Sequence, residues 1–253
     1  MTATALLAAL GAAALLPHRK LDALHFSHEK TPSKALTLVL DLDHTLICGF
    51  ANETLPIGPK ETGFYTQYEG EMFSPDKRNT VYLRPSVVSF LRWLNNSVPL
   101  HVVLWTNSPY SWSRPILDRL EEHCGGRVFK ARYDHRTVDL TTTHSKDLAN
   151  LFPDLRRVLL LDDKPSNGRC SPSNVLPIRP FLHRETDHEL DEGSALRSTL
   201  IEVCQAASTG GDVRRLPAVR RWQAAHGYSP AHVQRPAECA HQGYPLVCLN
   251  RAL

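Results

Sequence analysis

Two carboxylates and a hydroxyl, spaced two residues apart, directly follow an apolar run. Asp41, Asp43 and Thr45 come after Leu36–Leu40. Five apolar or β-branched residues in succession predict a strand that is buried on both faces, as in a parallel sheet. Neighbouring carboxylates repel each other and resist the loss of water, so a divalent cation is expected between them, and all-oxygen ligands favour Mg²⁺. The pattern therefore indicates metal-assisted phosphoryl transfer at the carboxyl end of the first core strand.

Two further apolar strands are predicted, over residues 100–105 and 156–161, and both end in polar residues. The polar residues are Thr106 and Asn107 after the second strand, and Asp162 and Asp163 after the third. In a parallel α/β sheet, ligands bind outside the carboxyl ends of the strands. If the three strands are neighbours, these side chains converge with Asp41 and Asp43 in one crevice.

The positions of the other elements are predicted from apolar periodicity and turn residues. Helical spacing predicts helices from about Pro85 to Asn96, Ser111 to Glu122 and Asp187 to Ala207, and a short helix that opens at Lys146. Strand-like segments lie at 128–138 and 174–178. Residues 48–80 predict a small β-hairpin insertion, because a segment of about 30 residues is too short for a cap with its own core. The predicted fold is α/β, with three layers, a central and mainly parallel sheet, and no large cap domain.

Composition divides the chain into three parts: an apolar amino-terminal segment with a linker (1–33), a catalytic domain (34–207) and a basic tail (208–253). The net charge of +3 in 253 residues is too small to predict nucleic acid as a partner. The tail contains six arginines and two acidic residues, Asp212 and Glu238, and its apolar residues show no sustained periodicity. We expect it to be disordered or loosely docked. Its segment 213–222 could contact an acidic partner, although short charge runs usually serve solvation.

The six cysteines show no Cys-x-x-Cys spacing, which predicts reduced thiols in an intracellular protein and neither a zinc site nor a disulfide. Residues 3–16 form an apolar run that is too short to span a bilayer. Two interpretations of this run stay open: a targeting or membrane-anchoring segment, or a helix that packs on the domain or frays. A nuclear or cytoplasmic location is favoured, with the mitochondrion as the alternative.

The motifs between residues 35 and 206 resemble the haloacid-dehalogenase-like phosphotransferases. Within them, the resemblance is to the RNA polymerase II carboxy-terminal-domain phosphatases, the FCP-homology or NLI-interacting-factor-like family. The motifs that carry it are Asp41-Leu-Asp43-His-Thr45, Val81-Tyr-Leu-Arg84-Pro85, Trp105-Thr106-Asn107-Ser108, Ser145-Lys146-Asp147 and Asp162-Asp163. Four of these resemble the family's own motifs, and Arg84-Pro85 resembles a segment characteristic of this branch. In this order and spacing they are highly specific. The chain departs from the family at Asp163, where the family usually has asparagine.

The resemblance and the chemistry of phosphate esters together imply a role for each candidate residue. Asp41 would be the nucleophile, and Asp43 the acid and then the base. Mg²⁺ would be held by Asp41, Asp162 and the backbone carbonyl of Asp43, with Asp163 in support. Thr106 and Asn107 are expected to bind a phosphoryl oxygen, and Lys146 to neutralise charge. Thr45 is expected to position the Asp43 loop through a backbone hydrogen bond. Three arginines either bind substrate phosphate or acidic flanks or are ordinary surface residues: Arg84, Arg132 and Arg136.

Without a large cap, the site is expected to be open to a phosphoserine or phosphothreonine on a protein or peptide. Two other functions compete with this one. The same fold serves as a receptor subunit of the mitochondrial inner-membrane protein translocase, and other capless relatives act on nucleic-acid ends. The sequence favours the enzyme, because an intact set of acid, nucleophile and metal ligands has no evident structural use.

Overall fold

A computed structural model describes residues 36–51, 65–69, 78–137, 145–182, 187–236 and Cys239. Its centre is a five-stranded parallel sheet, in which the first strand of the chain, β1 (Leu36–Leu40), occupies the middle position. From one edge to the other, the order is β6 (Ala131–Tyr133), β5 (Leu100–Trp105), β1, β7 (Val158–Asp162) and β8 (Val175–Pro177). The three predicted strands are therefore neighbours, and their carboxyl ends lie at the same edge of the sheet.

The sheet lies between two apolar clusters, which gives the fold its three layers. On one face, Leu38 and Leu40 pack in a cluster that includes residues of four helices. These helices are α1 (Val87–Asn96), α2 (Tyr110–Cys124), α3 (Ala195–Ser208) and α4 (Pro217–Ala225). On the other face, Val39 and Leu160 pack with Leu148 and Phe152 of a connecting segment. Because both faces are covered, β1 is apolar at every position.

The predicted insertion after the first strand is a three-stranded antiparallel sheet rather than a single hairpin. Its strands are β2 (Ile47–Ala51), β3 (Tyr65–Glu69) and β4 (Arg78–Leu83), in the order β2-β4-β3. The part of the chain that the structure describes contains no separate cap domain. The predicted α/β fold without a large cap domain is therefore confirmed for the described ranges.

Three predicted elements are shorter than expected, because tertiary contacts or capping end them. Residues 187–194 form turns instead of the first part of α3, since Asp187 is held by Arg84 and Ser194 caps the helix. The segment after Val128 pairs only at Ala131–Tyr133 and then forms a 3₁₀ turn. Lys146 does not open a helix: a 3₁₀ turn begins after it at Leu148, where the Asp147 side chain accepts from Ala149 N.

The prediction of a disordered tail is wrong for the described residues after 208. Val213, Val219 and Trp222 are at most 5% exposed and belong to the core. The Trp222 indole donates to the Pro177 carbonyl at 2.7 Å, which closes the free edge of β8. Pro217 starts α4, where a proline costs no hydrogen bond. The apolar side chains among the arginines are thus the buried face of a short amphipathic helix.

The prediction that all cysteines are reduced is also wrong, because Cys170 and Cys239 form a disulfide across 69 residues of sequence. No local spacing of the cysteines predicts this pairing, because it depends on how the carboxy-terminal segment folds back. Among the other described cysteines, Cys48, Cys124 and Cys204 are free thiols.

The apolar residues 3–16 lie outside the described part of the chain, so both interpretations of them stay predictions. Within the described ranges, no helix has the length and apolar character needed to cross a bilayer.

The docking of α4 can be tested by equilibrium unfolding in urea. We expect Trp222→Ala to lower the free energy of unfolding by about 3 to 5 kcal/mol, because it leaves a cavity and an unpaired Pro177 carbonyl. The matched control is Arg221→Ala on the same helix, where the side chain is 62% exposed and the change should be within about 0.5 kcal/mol. Equal stabilities of Trp222→Ala and the wild type would show that α4 does not belong to the folded domain.

Candidate active site

Four carboxylates and one ammonium group converge at the carboxyl edge of the sheet. Asp41 follows β1, and its backbone N–H donates to the Leu161 carbonyl of β7 at 3.0 Å, which sets it beside Asp162. Asp43 comes two residues further along the chain, and Asp163 directly follows β7. The convergence that the sequence predicts is therefore present in the structure.

The Lys146 ammonium group bridges the two buried carboxylates. Its Nζ lies 2.6 Å from Asp41 Oδ1 and 2.8 Å from Asp162 Oδ2, and its side chain is 0% exposed. The backbone N–H of Lys146 donates to the Asn167 carbonyl at 2.6 Å. The lysine is thus fixed at both ends, which suits it to hold positive charge at one point of the site.

Asp162 has its oxygens filled by donors from the protein. Oδ1 accepts from Lys164 N at 2.8 Å and from Asn167 Nδ2 at 3.0 Å, and Oδ2 accepts from Lys146 Nζ and, at 3.2 Å, again from Asn167. A carboxylate offers about four lone-pair positions, so Asp162 has little capacity left for a cation. Asn167 was not predicted as a site residue. It holds the Asp162 carboxylate in place and does not belong to any of the sequence motifs.

Asp163 has more capacity to bind a metal. The side-chain hydrogen bond described for its carboxylate is a long one, 3.5 Å from the Thr45 hydroxyl. Carboxylate oxygens of Asp41, Asp162 and Asp163 all lie within 4.8 Å of one another. These contacts leave Asp163 freer than Asp162 to bind a metal, while Asp162 positions Lys146; the expected role of Asp162 as a metal ligand stays a prediction.

The Thr45 hydroxyl joins Asp41 to the end of β7. It donates to Asp41 Oδ2 at 3.2 Å and accepts from the Asp163 backbone N–H at 3.1 Å. A left-handed His44, with φ of 61°, makes the tight turn that brings Thr45 back under Asp41. The Thr45 hydroxyl therefore orients Asp41, and the Thr45 backbone N–H donates to the Leu42 carbonyl at 3.3 Å within the loop that carries Asp43.

The Asp43 carboxylate accepts three hydrogen bonds from side chains that follow β5. Thr106 Oγ1 and Ser108 Oγ donate to Oδ2 at 3.1 Å and 2.7 Å, and Trp112 Nε1 donates to Oδ1 at 3.0 Å. Thr106, which is expected to contact phosphate, donates to Asp43 in this structure, and the half-buried Asn107 lies next to it. Contact of either residue with phosphate stays a prediction.

The sequence analysis missed Ser108 and Trp112 as site residues. Ser108 stands in the Thr106-Asn107-Ser108 motif, so it could have been included. Trp112 carried no signal, because its reach depends on close packing of α2 against Gly49 of β2. A Cβ atom at Gly49 would lie 2.6 Å from the Trp112 ring, so glycine is the residue that allows this approach.

Burial and like charge make the ionised carboxyls costly. Burial raises the pKa of Asp41 well above its ordinary value; Lys146 opposes this shift, while the charges of Asp162 and Asp43 add to it. Burial likewise raises the pKa of Asp163, and the Asp162 charge adds to that shift. Burial alone would lower the pKa of Lys146, but Asp162 and Asp41 outweigh it and raise the pKa. Lys146 is therefore charged, and the site still carries excess negative charge.

Arg84 is a structural residue in this arrangement. Its side chain is 0% exposed and forms an ion pair with Asp187 at 2.7 Å. Nη1 donates to the Thr45 carbonyl at 2.9 Å, and Nη2, which also holds Asp187, donates to the Arg179 carbonyl at 2.8 Å. Arg84 thus ties the loop of Asp41 and Thr45 to the segment before α3, with its guanidinium buried and hydrogen-bonded within the protein.

The other two candidate arginines are not placed at the site by the described contacts. Arg132 of β6 forms ion pairs with Asp118 and Glu121 of α2. Arg136 lies in the 3₁₀ turn His135–Thr137, and its side chain is outside the described part of the structure. Substrate contact by Arg136 stays a prediction.

Three features define the class of haloacid-dehalogenase-like phosphotransferases. They are the parallel sheet, the Asp-x-Asp-x-Thr loop after its central strand, and a lysine together with an acidic pair at the end of the neighbouring strand. Residues 36–214 match the model of the family described as NLI interacting factor-like phosphatase. The chain belongs to this family.

Named relatives place the match among phosphatases. A CTD nuclear envelope phosphatase 1 homolog of Drosophila melanogaster is 31% identical over 160 residues, which cover 61% of this chain and 63% of the relative. The human carboxy-terminal domain RNA polymerase II polypeptide A small phosphatase 2 is 31% identical over 158 residues, covering 61% of this chain and 53% of the relative. The chain therefore spans less than two thirds of these relatives.

The fission yeast RNA polymerase II CTD phosphatase Fcp1 bound to beryllium fluoride aligns with a TM-score of 0.48 and 18% identity. The alignment covers 82% of this chain and 60% of that chain.

The raised pKa of Asp163 predicts how stability depends on pH in metal-free protein. Because this pKa is higher in the folded state than in the unfolded chain, ionisation of Asp163 destabilises the fold. This loss of folding stability begins as the pH rises above about 3.9, the pKa of the aspartate in the unfolded chain, and it grows until the pH passes the pKa in the folded state. We expect Asp163→Asn to be more stable than the wild type in chelator at pH 7, and the difference to vanish below the unfolded pKa.

Urea unfolding at several pH values measures this difference. Asp118→Asn, at an exposed carboxylate, is the control and should not reproduce the trend. A difference that persists unchanged in acid would contradict an electrostatic origin.

Proposed function

We propose that this protein is a Mg²⁺-dependent phosphatase for phosphoserine and phosphothreonine in polypeptides, acting through an aspartyl-phosphate on Asp41. The observation that carries the proposal is the contrast between Asp41 and Asp43. Asp41 is buried and held by Lys146 and Thr45, while Asp43, half-buried, is held by three donors from the opposite side. Two nearby carboxylates with different surroundings suit different roles, one as nucleophile and one as acid and base.

The donors at the site fit a hard divalent cation. Asp41 and Asp163 offer carboxylate oxygens close together, and the Asp43 backbone carbonyl is expected to complete the protein's share. When bound, Mg²⁺ would neutralise the excess negative charge of the site and of a phosphate group. Asp162 would contribute indirectly, by holding Lys146 in place.

Asp41 would attack the phosphorus atom, and the bond from phosphorus to the serine or threonine oxygen would break. The Thr45 hydroxyl fixes one carboxylate oxygen of Asp41, so the lone pairs of the Asp41 carboxylate point in a defined direction. Lys146 would balance the charge that spreads over the phosphoryl oxygens in the transition state. Thr106 and Asn107, at the end of β5, would contact a phosphoryl oxygen once substrate is bound.

Asp43 would give its proton to the leaving alkoxide and then take a proton from the water that attacks the aspartyl-phosphate. This second step releases inorganic phosphate and restores both carboxyls. Trp112, Ser108 and Thr106 hold the Asp43 carboxylate in one orientation for both transfers. The three donors are thus positioning residues for proton transfer.

A polypeptide substrate is supported by the open edge of the described fold and by the names of the relatives. No separate cap covers the site within the described ranges, so a phosphorylated side chain could reach Asp41 from a large molecule. The fly relative is named a nuclear envelope phosphatase and the human one a phosphatase of an RNA polymerase II domain. A nuclear or cytoplasmic phosphoprotein as substrate is part of this proposal.

The nucleophile is tested with Asp41→Asn. We expect wild-type protein to hydrolyse an aryl phosphate and a phosphoserine peptide only with Mg²⁺, and Asp41→Asn to lose at least about 10³-fold in kcat on both, since no second carboxylate can replace it. Arg119→Ala, which removes an exposed charge on α2, is the control and should keep full activity. Wild-type protein without metal-dependent hydrolysis would refute the enzyme.

The acid role of Asp43 is tested through Trp112→Phe, which removes one donor and keeps an aromatic ring. We expect kcat on a phosphoserine peptide to fall about tenfold, because the serine alkoxide needs a well-placed proton. An aryl phosphate with an acidic leaving group needs little protonation, so its loss should be several times smaller. Equal losses on both substrates would instead point to a general packing defect around Gly49.

A further inference from the structure

A basic pocket lies at the edge of the sheet opposite to the active site. Its cavity is about 290 Å³ and is lined mainly by polar atoms, among them the side chains of Arg214, Arg215, Arg220 and Arg235. Leu155 and Asn174, which also line it, precede β7 and β8. The pocket therefore opens at the amino ends of these strands, whereas Asp162 lies at the carboxyl end of β7.

The positive charge of this basic pocket is only partly balanced by the described residues. Asp212 pairs with Arg214 at 2.7 Å and, weakly, with Arg215 at 3.8 Å. Within the described ranges, no ion pair joins Arg220 or Arg235 to an acidic residue, and both side chains are exposed. Both guanidinium groups lie at the exposed surface of the pocket, where an anion from solution can reach them.

The fold holds these arginines around one space. Arg220 projects from α4, which is anchored by Trp222 and by the Gln223 side chain donating to the Val175 carbonyl at 2.8 Å. Arg235 lies in the segment that the Cys170–Cys239 disulfide ties back to the pocket wall, and Cys170 itself lines the cavity. A disordered basic tail would not bring its charges together in this way.

The four arginines of the lining suit the phosphate group of a phosphorylated side chain. Guanidinium groups bind phosphate through paired, charge-assisted hydrogen bonds. The large exposed apolar side chains in the described part of the chain are Tyr110, Leu182 and Ile201, and none lines the pocket, which disfavours insertion into a membrane. The lining residues include no aromatic ring for stacking a base. The small volume suits a single group rather than a folded partner.

We propose that this basic pocket binds a second phosphorylated side chain of the polypeptide substrate, at a distance from the catalytic centre. This inference rests on the proposed function for its choice of ligand. The two sites are separated by at least the length of β7, about 13 Å at 3.3 Å per residue. A flexible, multiply phosphorylated segment could therefore occupy both, and the gain would come from effective concentration.

The test compares phosphopeptides on the full chain with its disulfide intact. Peptides with one phosphoserine are compared with peptides that carry a second phosphoserine after spacers of increasing length. For wild-type protein, we expect KM to be about tenfold lower for the doubly phosphorylated peptide once the spacer can bridge the sites. The double variant Arg220→Ala, Arg235→Ala should lose this advantage and keep its kcat on an aryl phosphate.

A matched control removes the same charge elsewhere. Arg221→Ala with Arg119→Ala eliminates two arginines from exposed ion pairs outside the pocket. This control should retain the tenfold advantage. An advantage that survives in the pocket variant, or disappears equally in the control, would overturn the proposal. Loss of binding to anionic lipid vesicles in the pocket variant, with an unchanged KM for the peptides, would assign the pocket to a membrane and also overturn it.

Direct binding separates this inference from the proposed function. The affinity for a non-hydrolysable peptide with two phosphonate groups is measured by titration against the wild type and the pocket variant. This measurement does not depend on whether the protein hydrolyses phosphate esters. If wild type hydrolyses nothing but binds this peptide about tenfold more tightly than the pocket variant does, the pocket stands and the phosphatase fails. Equal affinities would refute the pocket, whatever the activity.

Discussion

The bridge of Lys146 between Asp41 and Asp162 is the interaction on which the site depends. It places one ammonium group against two carboxylates that are almost fully buried, where an unpaired charge would be expensive. The lysine can hold this position because Asn167 binds both its backbone and its partner carboxylate. One short loop after β7 therefore fixes the charge balance of the whole edge. With Asp43 and Asp163 also present, the balance still lacks positive charge, which is the physical reason for a cation.

The second feature that supports the site is the buried Arg84. It joins the carbonyl of Thr45, which orients the nucleophile, to Asp187 before α3. Removing either member of this pair would leave the other charge buried and uncompensated. The arginine of the Arg-Pro motif thus acts on Asp41 through Thr45, and its charge faces the interior. A sequence pattern can mark such a residue but cannot say whether it contacts substrate or backbone.

The parts of the fold that were predictable from sequence are those set by local patterns. The apolar runs at 36–40 and 100–105 give β1 and β5 with the observed bounds, and their polar ends identified Asp41, Asp43 and Thr106. The failures involve contacts between residues far apart in sequence. Trp112 reaches Asp43 only because Gly49 is small, α4 docks only because β8 offers a free edge, and Cys170 meets Cys239 only after that docking. Tertiary packing, absent from any local window, decides all three.

Asp163 shows how one departure from a family pattern changes the energetics of the site. An asparagine there would offer a metal the same kind of oxygen without a charge. The carboxylate adds attraction for a divalent cation, yet it stands beside Asp162 and is partly buried, so burial and like charge raise its pKa. The same charge would strengthen metal binding and is expected to weaken the metal-free fold near neutral pH. We therefore expect folding and metal binding to be coupled, because a cation would relieve a repulsion that the protein alone leaves unbalanced.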